Sequence, residues 1–256
     1  MSLTYHCDLG ENARAGRDDA WLREEAARFL CYKAAAEIVI ASVLLLLTAP
    51  LMILLIILVR ATSRGPAIFK QVRLGRGGRP YHLYKIRTMA HDCERLTGPQ
   101  WSTAKDPRVT RLGRFLRRSH LDELPQLWNV IRRDMSLVGP RPERPEFVAK
   151  LEREIPDYRE RLSIQPGITG LAQIQLPPDE GMDDVRRKVA CDICYIEQMS
   201  PILDLKILLG TALKVMGSSF EMTRRVLNLP GVAGPDASRD ARDAAEPSLI
   251  TQLQPA

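Results

Sequence analysis

Ile38-Val-Ile-Ala-Ser-Val-Leu-Leu-Leu-Leu-Thr-Ala-Pro50-Leu-Met-Ile-Leu-Leu-Ile-Ile-Leu-Val59 is a run of 22 residues without a charge. At about 1.5 Å per residue, a helix of this length reaches the roughly 30 Å hydrocarbon thickness of a bilayer. A signal peptide does not fit, because the run starts too late, is too long and lacks a small-residue cleavage site ahead of polar sequence. The run reads as the membrane segment of a membrane protein. From Arg60 to His91 there are eight Lys/Arg residues and no acid, which assigns the C-terminal flank to the cytoplasmic side. Upstream, Arg23, Arg28 and Lys33 are diluted by Glu24, Glu25 and Glu37. Pro50 removes a backbone hydrogen bond near the middle and bends the helix. A sharp bend would return both ends to the cytoplasmic face. Proline is well tolerated in spanning helices, so a kinked span is slightly favoured and the re-entrant form stays open.

Outward from this segment the chain divides readily. Residues 1–32 form a variable N-terminal segment, polar and irregular at first, then an interfacial amphipathic helix over Trp21–Lys33 with Leu22, Ala26, Phe29 and Leu30 on one side. The membrane helix occupies 33–60. A second domain follows over 61–220, and from Pro230 the composition shifts to Ala, Asp, Pro, Gly and Ser, which predicts a disordered tail over 230–256. Within the domain, Ala67–Leu74 and Tyr81–Met89 alternate apolar and polar residues around Gly75, Gly77, Gly78 and Pro80, the pattern of a β-hairpin. Helical spacing marks Arg114–Arg118, Leu124–Arg132, Pro145–Ile155, Asp183–Gln198 and Leu203–Met216. The fold class is therefore α+β and mainly helical, with a Pro-broken membrane helix, a short hairpin and amphipathic interfacial helices.

With 256 residues and 45% hydrophobic content the chain buries a sizeable core. A net charge of +6 implies acidic partners: nucleic acid, anionic membrane or phosphorylated small molecules. Aromatic content of 5% is too low for the stacking platforms of single-strand nucleic-acid binders. Five scattered cysteines argue against a disulfide scaffold and for a reducing compartment. Cys191 and Cys194 lack a second pair at zinc spacing and read as two small apolar positions on a helix.

The chemistry concentrates between Asp106 and Pro142. The adjacent acids Asp122 and Glu123 sit among Arg108, Arg111, Arg114, Arg117 and Arg118 upstream and Arg132, Arg133 and Arg141 downstream. Proline is tolerated only in the first turn of a helix, so Pro125 marks a helix start. The two acids then lie at or just before that start, where unpaired N–H groups and the helix dipole favour anions. Taken alone, an ordinary N-cap with a following acid explains the pair better than a catalytic site does. Two acids among so many guanidiniums suit a place where a metal and phosphates meet.

The run Asp106-Pro-Arg-Val-Thr-Arg-Leu-Gly-Arg-Phe-Leu-Arg-Arg-Ser-His-Leu-Asp-Glu-Leu-Pro-Gln-Leu-Trp-Asn-Val-Ile resembles the bacterial sugar transferase family, the monotopic polyprenyl-phosphate phosphoglycosyl transferases. So do Asp134-Met-Ser-Leu-Val-Gly-Pro-Arg-Pro, Ile68-Phe-Lys-Gln, Tyr84-Lys-Ile-Arg-Thr-Met, Pro166-Gly-Ile-Thr-Gly-Leu-Ala-Gln and Asp204-Leu-Lys-Ile-Leu. The likeness is colinear over roughly Lys33 to Met216. It implies an enzyme that transfers a phosphosugar from a nucleotide diphosphate sugar, expected to be uridine-linked, to polyprenyl (undecaprenyl) phosphate, initiating exopolysaccharide or glycoconjugate synthesis. Asp122 is the implied nucleophile, forming an aspartyl-phosphosugar intermediate, and Asp122 with Glu123 would hold Mg²⁺. Lys85, Arg117, Arg141 and position 165 are implied at the substrate. The implied partners are a nucleotide sugar, a polyprenyl phosphate lipid and the bilayer, with no nucleic acid, and a homodimer is left open. The implied location is the bacterial inner membrane, with the catalytic domain on its cytoplasmic face.

Three departures stand out. The family's arginine ahead of Pro-Gly-Ile-Thr-Gly is Gln165 here, which removes a charge. Ala49 precedes Pro50 where the family has serine, leaving the Thr48 hydroxyl to steady the bend. Gln173-Ile-Gln-Leu-Pro-Pro replaces an Asn-Gly-rich continuation. Two other classes compete: a non-catalytic basic scaffold on the membrane surface, and a membrane-tethered nucleic-acid binder.

Overall fold

A computed structural model of the chain describes residues 6–7, 19–94, 98, 106–177, 181–230 and 232–233, with side chains described between Arg28 and Pro230. Its longest element, α1, runs from Asp19 to Thr62 without interruption, with Pro50 inside it. One helix thus crosses the boundary expected at 32/33. Ala34, Ala35 and Ala36 bridge it, the strongest helix formers, with no glycine or proline between. Near Pro50, Thr48 Oγ1 donates to the Leu44 carbonyl at 2.7 Å, and Ser42 Oγ likewise donates to Ile38 at 2.7 Å. The Thr48 hydroxyl therefore serves the turn before it, not the Leu46 carbonyl that the proline leaves without its donor.

Both flanks of α1 are fastened to the rest of the molecule. On the N-terminal side Ala41 is fully buried in a core with Leu83, Leu127, Val138, Tyr195 and Ile207. On the C-terminal side Leu55 and Val59 pack with Ala67, Ile86 and Leu116. Just past α1, the Arg87 guanidinium donates to the carbonyls of Ser63 and Arg64 and to the Ser63 hydroxyl. Between these anchors Leu46, Leu47, Ile53, Leu54 and Ile57 are all more than half exposed. An exposed apolar surface this continuous is foreign to a water-facing helix.

The expected hairpin is present as β2 (Ile68–Leu74) and β3 (Pro80–Ile86), antiparallel, with Phe69 opposite Lys85. Gly77 and Gly78 take positive φ in the connecting loop, which glycine does without strain. Beyond Ile86 the chain leaves the hairpin, and Met89 instead bridges to Val109. Helix α2 (Arg111–Arg118) begins at Thr110, whose hydroxyl accepts from Gly113 N. Helix α3 (Gln126–Ile131) follows Pro125. The fully buried Asn129 locks α3 to the hairpin: its Nδ2 donates to His82 O at 2.7 Å and its Oδ1 accepts from Tyr84 N at 3.2 Å.

Strands β4 (Ser136–Val138) and β5 (Gly167–Thr169) form a parallel pair that the sequence did not announce. A Cβ on Gly167 would stand 2.1 Å from Gly139 N, so only glycine permits this backbone approach. Helices α5 (Leu171–Gln175), α6 (Met182–Glu197) and α7 (Pro201–Val215) pack with β4 in one core, while α4 (Pro145–Glu154) packs against α6 and Tyr158 in a second. Helix α8 (Phe220–Leu227) continues the domain past the boundary expected at 220, with Thr223 fully buried and a Cβ on Gly210 falling 3.2 Å from the Thr223 methyl. Most of the tail expected to be disordered lies outside the described residues. Within it, Val232–Ala233 (β6) pairs antiparallel with His6–Cys7 (β1). Cys191 and Cys194 are buried on α6 as expected of apolar positions. Cys191 is a free thiol, but Cys194 is disulfide-bonded, a departure from uniformly reduced cysteines.

Candidate active site

Asp122 and Glu123 lie on a single 3₁₀ turn, Leu121–Glu123, between α2 and α3. His120 enters the turn in the left-handed region, φ 55°, a conformation that non-glycine residues adopt rarely and at a cost. Pro125 then supplies the N-cap of α3, so the acids stand just ahead of a helix start, as their spacing predicts.

Three other elements converge on this turn. Strand β3 brings Lys85, whose Nζ stands 2.7 Å from Glu123 Oε1. The Gly139-Pro-Arg-Pro142 segment after β4 brings Arg141, whose guanidinium reaches the same oxygen at 3.2 Å. The backbone of that segment is held by Gly139 N donating to Thr169 O and Gly167 N donating to Pro140 O. Arg117, at the end of α2, donates through Nε to Thr88 Oγ1 at 2.9 Å, and its charge acts on Asp122. Helix α2 comes this close to Thr88 because Gly113 has no side chain. A Cβ there would lie 2.0 Å from the Thr88 carbonyl. Arg108 and Arg114 serve the fold, Arg108 forking onto Asp106 and Arg114 donating to Val109 O.

The two carboxylates differ sharply. Burial alone would raise Glu123, but Lys85 and Arg141 outweigh it and hold the carboxyl well below the usual range. Asp122, only 6% exposed, is raised by burial, with the Glu123 charge pushing the same way and Lys85 and Arg117 opposing. Among the described residues no hydrogen bond or ion pair holds the Asp122 carboxylate. Lys85 is lowered by burial, against the pull of Glu123. The result is one fixed anion clamped by two cations, beside a second carboxylate with its oxygens free.

No cluster of three or more His, Cys, Asp or Glu suited to a metal occurs among the described residues. The donor set nevertheless fits Mg²⁺, which takes one or two carboxylates and completes its shell with water and substrate phosphates. Glu123 Oε2 and the Asp122 carboxylate remain for it, since both cations bind Glu123 Oε1.

Gln165 is placed elsewhere. It lines a small cavity against α1 with Lys33, Glu37, Arg133 and Ser136. No hydrogen bond among the described residues links its side chain to the acidic turn. Thr88 and Asn129 are supporting residues that sequence reasoning passed over. Both lie in runs that carry the family likeness, Arg87-Thr-Met and Leu127-Trp-Asn, and their roles depend on partners remote in sequence.

Residues 28–218, which hold the whole of this cluster, match the bacterial sugar transferase family. The chain belongs to that family. A UDP-glucose:undecaprenyl-phosphate glucose-1-phosphate transferase of Caulobacter vibrioides is 44% identical over 183 residues, covering 70% of this chain and 67% of the relative. A UDP-N-acetylgalactosamine-undecaprenyl-phosphate N-acetylgalactosaminephosphotransferase of Aeromonas hydrophila is 41% identical over 179 residues, which span 70% of this chain and 42% of that protein. The exopolysaccharide production protein PSS of Rhizobium leguminosarum bv. phaseoli is 36% identical over 187 residues, 71% of this chain and 94% of its own length. The matched region takes in Asp122, Glu123 and the greater part of α1.

Proposed function

We propose that this sugar transferase moves a sugar 1-phosphate from a uridine diphosphate sugar onto undecaprenyl phosphate at a membrane surface, through a covalent phosphosugar on Asp122. The observation that carries the reading is the contrast between two neighbouring carboxylates, one pinned by Lys85 and Arg141 and one buried and unbonded. A nucleophile needs free lone pairs, and the raised affinity of Asp122 for a proton accompanies greater nucleophilicity once it is ionised. Asp122 Oδ would attack the phosphorus bearing the sugar, and the bond to the nucleoside monophosphate oxygen would break. The phosphate oxygen of the lipid would then attack the same phosphorus and expel Asp122. Both displacements leave the sugar's anomeric C–O bond intact. Lys85, Arg117 and Arg141 supply positive charge to the phosphates, Arg141 through a planar fork suited to them. When bound by Asp122 and Glu123, Mg²⁺ would neutralise charge on the diphosphate.

Membrane attachment follows from α1. Its apolar middle is exposed while both flanks are fastened to one domain, by Glu37 to Ser136 and by Ser63 to Arg87. An ordinary span would put those flanks on opposite faces of the bilayer and break one set of bonds. We therefore favour entry and exit on one face, with the domain at the cytoplasmic side where the basic flank belongs. This arrangement lets Asp122 meet a soluble donor and a lipid acceptor together.

Exchange of labelled uridine monophosphate into UDP-sugar, by purified protein without lipid acceptor, tests the reading. Exchange requires the covalent intermediate and does not occur on a scaffold. UDP-glucose and UDP-N-acetylgalactosamine are the donors to try first, as those named for relatives.

A further inference from the structure

Arg161 is 7% exposed, on the 3₁₀ turn Tyr158–Leu162, and its guanidinium meets three groups. One Nη lies 2.7 Å from Asp192 Oδ2 on α6 and donates to the Arg141 carbonyl at 2.9 Å. The other donates to the Tyr158 hydroxyl at 2.9 Å, and the group sits 5.1 Å from the centre of the Tyr158 ring. Asp192 is 2% exposed.

A buried ion pair is a poor way to hold a turn against a helix, because taking both charges out of water costs as much as their attraction returns. Apolar side chains of similar volume would serve packing as well. What a guanidinium adds is direction: a donor aimed at one carbonyl. That carbonyl belongs to Arg141, the residue whose side chain clamps Glu123. Arg141 stands between two prolines, which fix the backbone angles on either side. With its carbonyl also held, the origin of its side chain has little freedom. The next carbonyl, of Pro142, accepts from Arg73 Nη1 at 2.9 Å, so consecutive carbonyls of the turn are held from two sides.

We infer that Arg161, braced by Asp192 and Tyr158, is a positioning residue for the transfer reaction, setting the direction from which Arg141 meets Glu123 and the substrate phosphates. This inference rests on the role proposed for Arg141. Neither Arg161 nor Asp192 touches the reacting groups.

The test is a double-mutant cycle on purified protein, with whichever UDP-sugar the wild type uses, recording kcat, KM and the melting temperature. Arg161→Lys keeps a charge for Asp192 but loses the fork. It is expected to lower kcat/KM by roughly tenfold to a hundredfold through misplacement alone. In an Arg141→Ala background the same change is expected to cost no more than about twofold, because the group being positioned is gone. An equal loss in both backgrounds would overturn the inference and make the pair purely structural. If Arg161→Lys does not accumulate as folded protein, Tyr158→Phe removes one of the bracing acceptors with almost no change of shape. The cycle is then run with that variant, and the same two outcomes decide. A wild type that transfers no sugar phosphate to lipid removes the proposed function itself, whereas an active wild type with additive losses removes only this positioning role.

Discussion

Lys85 Nζ stands 2.7 Å from Glu123 Oε1 and leaves the neighbouring Asp122 carboxylate without a hydrogen bond among the described residues. One lysine on a strand thereby divides the labour of two adjacent acids. Glu123 becomes a permanent anion, and Asp122 keeps a proton affinity above the ordinary value because burial and Glu123 both raise it.

The acid limb of the pH–rate profile follows. As the proposed nucleophile Asp122 would attack only when ionised, so kcat/KM is expected to fall as pH drops through its raised pKa. Lys85 favours the ionised form of Asp122. Its replacement in Lys85→Gln is expected to move the limb to higher pH and lower the plateau. Glu123→Gln removes a charge that disfavours ionisation and is expected to move it to lower pH. Profiles of the three proteins check both signs, and a shift in the reverse direction for either variant contradicts the electrostatic account.

Asp122→Asn is expected to lower lipid-linked product formation by at least about a thousandfold, the scale on which a lost nucleophile is felt. The variant is expected to melt no lower than wild type, because it replaces a buried carboxylate whose ionised form burial already disfavours. Activity and melting temperature, measured on one preparation, separate a chemical role from a structural one.

Labelling from one side of sealed vesicles tests the topology. Cys31 is an exposed, free thiol ahead of the apolar run. A second thiol placed by Thr62→Cys, in a Cys93→Ser background, marks the far flank. A membrane-impermeant maleimide is expected to reach both from the same side. Labelling from opposite sides would restore the ordinary span.

The bonds that seat α1 on the domain centre on Glu37. It is 8% exposed, accepts from Ser136 Oγ and Leu137 N, and pairs with Lys33 at 2.8 Å, which also reaches Asp204 at 2.6 Å. Glu37→Ala strips the acceptor from buried donors and leaves Lys33 with a single partner. A loss of about 3 kcal/mol is expected, read as a lower melting temperature in detergent. A change under about 0.5 kcal/mol would show that α1 is held by its apolar contacts alone.

Much of this architecture was legible because it is written locally. The charge-free run, the alternation around Gly77 and Gly78, and the proline after the two acids each declare an element from a few neighbouring residues. What stayed hidden is long-range. Strands β4 and β5 are three residues each, too short for a period, and their pairing is set by a backbone approach at Gly139 and Gly167. The seating of α1 against β4 depends on Glu37 finding Ser136, 99 residues away. The cavity that Gln165 lines with Glu37 and Arg133 is likewise long-range, built from α1 and the loops after α3 and before β5.

Intact-mass measurement of the purified protein, incubated with UDP-sugar and Mg²⁺ but no lipid, bears most directly on the covalent route. The account predicts a mass increase of one sugar phosphate, located on Asp122, absent from Asp122→Asn and discharged when undecaprenyl phosphate is added. Product forming at an undiminished rate in the Asp122→Asn protein, with no adduct on the wild type, would contradict it.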